Sequence, residues 1–234
     1  VTDQRYLTDT AEREFDATVE RVAGDRVVLD TTLFYPTGGG QPNDTGTLTA
    51  DGETWTVTDV TKKDTIYHEV GGTPPDAGTR VHGELDWERR HAHMRYHTAQ
   101  HLLSAVLLSE YDAETTGNQL YADRARIDAA HPRFDDDDFA RIEERVNDHI
   151  DAARPVEWYV LDREDAEDRL DPERTRLHLL PDSITDVRIV EIEGVDRTAC
   201  AGTHVENTDE LGTFEITGRE TKGSDEERLK FELS

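Results

Sequence analysis

The hydrophobic periodicity of this chain changes at Trp87, and that change limits the folds open to it. From Phe15 to about Asp86, apolar and polar residues alternate in short runs (17–22, 26–29, 55–60, 65–70 and 80–85) separated by Gly, Asp and Pro clusters. A period of two is that of side chains alternating across a strand, so this stretch reads as a small all-β domain. Short strands at such spacing close most easily into a barrel or a sandwich, and Gly71-Gly-Thr-Pro-Pro-Asp-Ala-Gly78 supplies turn chemistry rather than a linker. Residues 87–109 contain neither Gly nor Pro, and Leu102, Leu103, Val106 and Leu107 form an apolar stripe, which predicts a helix opening a second domain. A second helix is expected over 139–153, with Asp135 to Asp138 as its N-cap and dipole-complementing charge. Strands at 156–161, 187–193, 213–217 and 229–233 and a short helix near 163–170 make the second domain α+β. The expected division is therefore residues 1–86 and 87–234, with no internal repeat.

Charge bears on the setting. Fifty-three acidic residues face 26 basic ones, for a net charge of −27, and four of the cations are lysines: Lys62, Lys63, Lys222 and Lys230. Such self-repulsion weakens a compact state in dilute buffer, but near 1 M salt the Debye length falls to about 3 Å and the cost largely disappears. A salt-rich, halophilic cytoplasm is the expectation, with a merely acidic protein that has a basic partner as the alternative. Acidity leaves nucleic acid open as a ligand, bound through shape, hydrogen bonds and local basic spots. The chain has no apolar run long enough to span a membrane, and its opening Val-Thr-Asp-Gln-Arg does not resemble a secretory signal, so a cytoplasmic location is expected.

The chemistry concentrates in two pairs. His97-Thr-Ala-Gln-His101 puts two imidazoles one turn apart on one face of the predicted helix, where they can share a metal or be ordinary surface or hydrogen-bonded histidines. Far along the chain, Cys200-Ala-Gly-Thr-His204 places the sole cysteine four residues before another histidine. Two such pairs suit one tetrahedral site, and a thiolate with imidazoles suits zinc. Four protein ligands equally describe a closed structural site, whereas a loose fourth position admits water or substrate. Zinc peptidases carry a glutamate base directly after the first histidine; here that residue is Thr98, which disfavours peptide hydrolysis and suits cleavage of an activated ester by zinc-bound water with no certain side-chain base.

These motifs together resemble the editing domain of alanyl-tRNA synthetase and its free-standing relatives, the AlaX proteins. Phe34-Tyr-Pro-Thr-Gly-Gly-Gly-Gln-Pro-Asn-Asp-Thr-Gly46 is similar to the glycine-rich segment of the longer AlaX subclass. Thr116-Gly-Asn-Gln-Leu-Tyr-Ala-Asp-Arg-Ala-Arg-Ile-Asp128 resembles the stretch after the metal helix, and Lys222-Gly-Ser with Arg228-Leu-Lys-Phe resembles the C-terminal basic pattern. The resemblance implies a small N-terminal β-barrel followed by an α+β zinc-binding editing domain. It implies His97, His101, Cys200 and His204 as zinc ligands, and Thr115 or Thr116, with Gln100 and Asn118, as the substrate pocket. Gly38, Gly39, Gly40, Gln41, Lys222, Gly223 and Arg228 become expected tRNA contacts, although the glycine run can equally be a tight turn between strands. Ala201 and Asn118 depart from the family's frequent glycine and serine, which bears on pocket shape rather than on the ligands. The implied activity is removal of serine, and of glycine, from mischarged tRNA(Ala), with no obligate protein partner. A tRNA-binding module with structural zinc and a hydrolase of another small ester are the competing readings.

Overall fold

The computed structural model describes residues 2–172, 174–175, 177, 181 and 184–234. Contacts divide the chain into two compact units, residues 1–94 and 95–234. The first contains β1 (Asp3–Gln4), β2 (Glu14–Ala23), β3 (Arg26–Leu29), β4 (Thr31–Thr32), β5 (Gly46–Ala50), β6 (Glu53–Lys62), β7 (Ile66–Val70) and β8 (Arg80–Leu85). Six of these close a barrel in the order β2-β3-β7-β6-β5-β8, while β1 pairs in parallel with β4. Closure follows from the alternation: Phe15, Ala17, Val19, Trp55, Val57, Val81 and Leu85 all point into one core, and a closed sheet leaves no edge to protect. Two glycines permit the close approach of strands. A Cβ at Gly46 would lie 2.1 Å from the carbonyl oxygen of Glu84, and one at Gly83 would lie 2.5 Å from the Phe15 ring.

The glycine-rich segment is anchored by a buried ion pair. The Arg90 guanidinium donates from Nε to Asp44 Oδ2 at 2.9 Å, from Nη1 to the carbonyl of Thr10 at 3.0 Å, and from Nη2 to that of Leu33. Asp44 also accepts from the Tyr35 backbone N–H at 2.6 Å, and both charged side chains are 0% exposed. All donors aimed at the carboxylate are thus paired, as a buried charge requires.

The division between units falls within α1 (Trp87–Tyr111). Beyond it lie β9 (Thr115–Leu120), β10 (Ala125–Ala129), α2 (Asp136–Asp151), β11 (Val156–Asp162), α3 (Arg163–Arg169), β12 (Asp186–Ile192), β13 (Asp196–Ala199), β14 (Phe214–Thr221) and β15 (Glu227–Leu233). These strands make an antiparallel sheet ordered β14-β15-β10-β9 and a three-stranded sheet ordered β11-β12-β13. α2 begins three residues earlier than its apolar pattern predicts, because Asp135 and Asp138 form a reciprocal capping box: each side chain accepts from the other's backbone N–H at 2.8 Å. The acidic run is therefore a helix start, and Ile142, Val146 and Ile150 bury the opposite stripe, at roughly 1.5–3 kcal/mol each. Among the described residues, no helix is long and apolar enough to cross a membrane.

Candidate metal centre

α1 presents His97 and His101 on one buried face, with ring centroids 5.2 Å apart. The hairpin β12–β13 turns at Gly194, at φ +70°, and delivers the chain from Ala199 straight into the Cys200–His204 loop. That loop is held from both ends. The Cys200 N–H donates to the carbonyl of Arg188 at 3.1 Å, and Arg188 Nη1 returns bonds to the carbonyls of Cys200 (2.6 Å) and Gly202 (3.0 Å). Cys200 Sγ consequently lies 3.5 Å from His97 Nε2 and 3.4 Å from His204 Nε2, and donor atoms of all four residues fall within 4.8 Å of one another. A tetrahedron with arms of ~2.0–2.3 Å has edges of roughly 3.5 Å, so this three-nitrogen, one-sulfur set fits zinc.

Each pair brings its own outer support. His101 Nδ1 bonds Asp196 Oδ2 at 2.8 Å, and Asp196 is gripped by Arg174 through Nε (2.7 Å) and Nη2 (2.8 Å). His204 Nδ1 meets Thr98 Oγ1 at 3.1 Å, and the same oxygen accepts from the Val205 N–H at 3.4 Å. Both rings therefore have Nδ1 occupied and Nε2 available to a ligand, the arrangement by which outer partners fix tautomer and orientation.

Electrostatics agree with that geometry. Burial opposes ionisation of Cys200, but His97 and His204 outweigh it and hold the thiol well below its ordinary value. Burial and the neighbouring His97 keep His204 neutral to well below the usual imidazole range. His101 moves the other way: burial works against its charge, yet Asp196 and Cys200 raise it to about 9. A thiolate and a neutral imidazole are the electron-pair donors a cation needs.

A register shift in the β9–β10 ladder, between Asp128 and Ala129, leaves Thr116 as the extra residue of a bulge. Thr115 and Asn118 thereby sit opposite the buried Ala129 and Ile127, and the Thr115 hydroxyl bonds Ser104 of α1. Thr116 is exposed and bonds Glu226 instead, so Thr115 is the threonine directed at α1. Gln100 is buried beside His97 and His101 in sequence, and its Oε1 has no hydrogen-bond partner among the described residues. Lys222 and Gly223 are exposed at the turn after β14. Arg228 is engaged with Asp128, at 2.6 Å from Nε and 2.8 Å from Nη2. In the first unit, Gly38 and Gln41 exchange backbone hydrogen bonds at 3.1 and 2.9 Å around Gly39 and Gly40, which take φ of +57° and +84°. That is a tight turn, and Gln41 at its end is buried.

Sequence reasoning did not find Asp196 or Arg174, and it read Thr98 only as a missing base. The available signal was Asp196 and Thr198 alternating inward on a short strand after a Glu-Gly turn.

Comparison with known proteins decides the family. The chain is 44% identical to the alanyl-tRNA editing protein AlaX-M of Methanosarcina barkeri, over all of this chain and 99% of that protein, and 42% identical to AlaX-M of Methanosarcina acetivorans over the same shares. The chain belongs to the AlaX-M family. Residues 3–89 match the family model of class II (A) tRNA synthetases, and residues 187–230 match the second additional domain of threonyl and alanyl tRNA synthetases. This AlaX-M member is also 40% identical to the alanine–tRNA ligase of Pyrococcus furiosus, where 97% of the chain covers 25% of the enzyme. The matched segment 187–230 contains Cys200 and His204, while His97 and His101 lie outside both matched ranges.

Proposed function

We propose that this chain is a zinc-dependent deacylase that removes serine, and also glycine, from mischarged tRNA(Ala) while sparing Ala-tRNA(Ala). The observation that carries the reading is the His97, His101, Cys200 and His204 cluster, in a chain similar over its full length to proteins named for alanyl-tRNA editing. Bound zinc supplies a Lewis acid for the ester carbonyl and for water. The protein supplies position. In this reading residues 87–234 form the editing domain, with the Thr115–Ser104 hydroxyl pair as the partner for a serine hydroxyl and the unpartnered Gln100 Oε1 accepting from the amino group of the attached amino acid. Thr98 offers no carboxylate base, so the chemistry suits an ester, not a peptide. Residues 1–86 form the barrel domain, and the Gly38–Gln41 turn with Lys222 and Gly223 contacts the tRNA. A pocket for alanine discriminates poorly against a lost methyl or an added hydroxyl, worth ~1–3 kcal/mol, which is why a separate hydrolytic sieve is needed.

The test is release of serine from Ser-tRNA(Ala) by zinc-loaded protein in concentrated potassium chloride, with Ala-tRNA(Ala) alongside. Serine release with alanine retained supports editing. A folded, zinc-bound protein that binds the tRNA without turnover overturns it in favour of a binding module, a reading that four protein ligands closing a tetrahedron also suit. Turnover of small aminoacyl esters with no response to tRNA instead favours a general esterase.

A further inference from the structure

Arg174 is not one of the four cluster residues, yet its guanidinium is aimed at the group that holds one of them. Asp196, 2% exposed, has three strong contacts: Oδ1 accepts from Arg174 Nε at 2.7 Å, and Oδ2 accepts from Arg174 Nη2 at 2.8 Å and lies 2.8 Å from His101 Nδ1. A bidentate guanidinium fixes a carboxylate in its plane and supplies the opposite charge that burial demands. Without it, Asp196 is free to rotate about its side-chain torsions, and the His101 ring loses the contact that sets its direction. Arg174 enters from a cleft of about 320 Å³, also lined by Arg169, Asp171 and Arg197. Those two arginines are otherwise engaged, Arg169 with Asp165 and Arg197 with Glu191. The segment has a second tie to β13 that does not involve the guanidinium, because Thr175 Oγ1 bonds Thr198 Oγ1 at 2.6 Å.

We propose that Arg174 is a positioning residue of the metal centre, acting through Asp196 to fix the His101 ring, so that metal affinity depends on a side chain outside the four-residue cluster. The proposal rests on reading the cluster as a metal site and is independent of which ester the protein cleaves.

The experiment uses the full chain, stripped of metal, with zinc affinity measured against a chelating indicator and cobalt(II) absorption recorded in parallel. Outer partners of a metal ligand typically control affinity by 10–100-fold. Arg174→Met and Asp196→Asn are each expected to weaken zinc binding by about 10–100-fold, and the double variant no more than Asp196→Asn alone, since one acts through the other. Arg174→Lys, which keeps charge but not the two-point grip, is expected to recover part of the loss. Arg197→Met, in the same cleft, is expected to change nothing. The cobalt(II) spectrum of Arg174→Met is expected to shift in its ligand-field bands while retaining the thiolate charge-transfer band. Unchanged affinity and spectrum in Arg174→Met, or losses in the double variant that multiply, overturn the proposal. Should Arg174→Met not fold, Arg174→Lys decides on the same two readouts, and unchanged values again overturn it. Wild-type protein that binds neither zinc nor cobalt overturns this inference and the metal reading together. The expected metal losses without any serine release leave this inference standing and remove only the editing function.

Discussion

His68 in the barrel and His101 in α1 are both buried histidines with a hydrogen bond on each side to explain, and they end at opposite protonation. His68 meets the Thr32 hydroxyl at 2.8 Å, the Val27 carbonyl at 3.3 Å and the edge of the Phe34 ring, and burial pushes it down to about 4. His101 meets Asp196 and Cys200, which lift it to about 9 in spite of burial. Enclosure is the same; the charge enclosed with the ring is not. The barrel does enclose charge, but Asp44 is saturated by Arg90 and the Tyr35 amide, whereas Asp196 is shared between a cation and an imidazole whose far nitrogen is left for a ligand. A buried histidine marks a site when its partners are ionised and converge with other donors, and marks a core when they are neutral.

The sharpest way to break that contrast is to remove a donor from each region. Cys200→Ala is expected to lower zinc affinity more than 100-fold, beyond the ~10–100-fold range of outer partners, whereas His68→Gln leaves metal content unchanged; metal analysis of both variants checks this. Next in size is Arg90→Met, which strands Asp44 as a buried carboxylate and is expected to cost about 3–5 kcal/mol in denaturant unfolding. The protonation of His68 itself predicts an acid dependence. Its folded value lies below the ordinary value of about 6.5, so the unfolded chain binds more protons; the stability it contributes is present above that pH and is lost as pH falls through about 4, by up to roughly 3 kcal/mol. The difference in unfolding free energy between wild type and His68→Gln should change by up to that amount between pH 7.5 and 4. The smallest effect belongs to Asp128, held below the usual carboxylate range chiefly by Arg228. Its contribution is present above pH ~4 and lost as pH falls through the lowered value, and solvent screening limits Asp128→Asn to about 1 kcal/mol or less.

What the sequence discloses follows the same division. Ligand pairs four residues apart are local geometry, so the two His and Cys-His spacings are readable before any fold is known, and they converge in the structure. Strands β2, β3, β6, β7 and β8 and helices α1 to α3 carry regular periodicities and lie where the alternation predicts, within a few residues. β5, β9, β10 and β13 are not legible in the same way. Their glycines and inward polar residues, such as Gly46, Gly117, Asn118 and Asp196, break the apolar pattern because those positions serve close approach or the site rather than the core. Arg174 is the furthest from reach, since its link to His101 exists only once the β12–β13 hairpin has brought Asp196 beneath α1's histidines.

Thr98 has a consequence for how this scaffold can change. Its hydroxyl holds His204 and the Val205 amide at once, at the position where a zinc peptidase places its glutamate. A glutamate there would add a carboxylate and, in the same step, remove the hydroxyl that orients the His204 ring. Any exchange at this position therefore acts twice, on the ring that the hydroxyl orients and on the amide that opens the chain beyond it, and the residue is constrained from both sides.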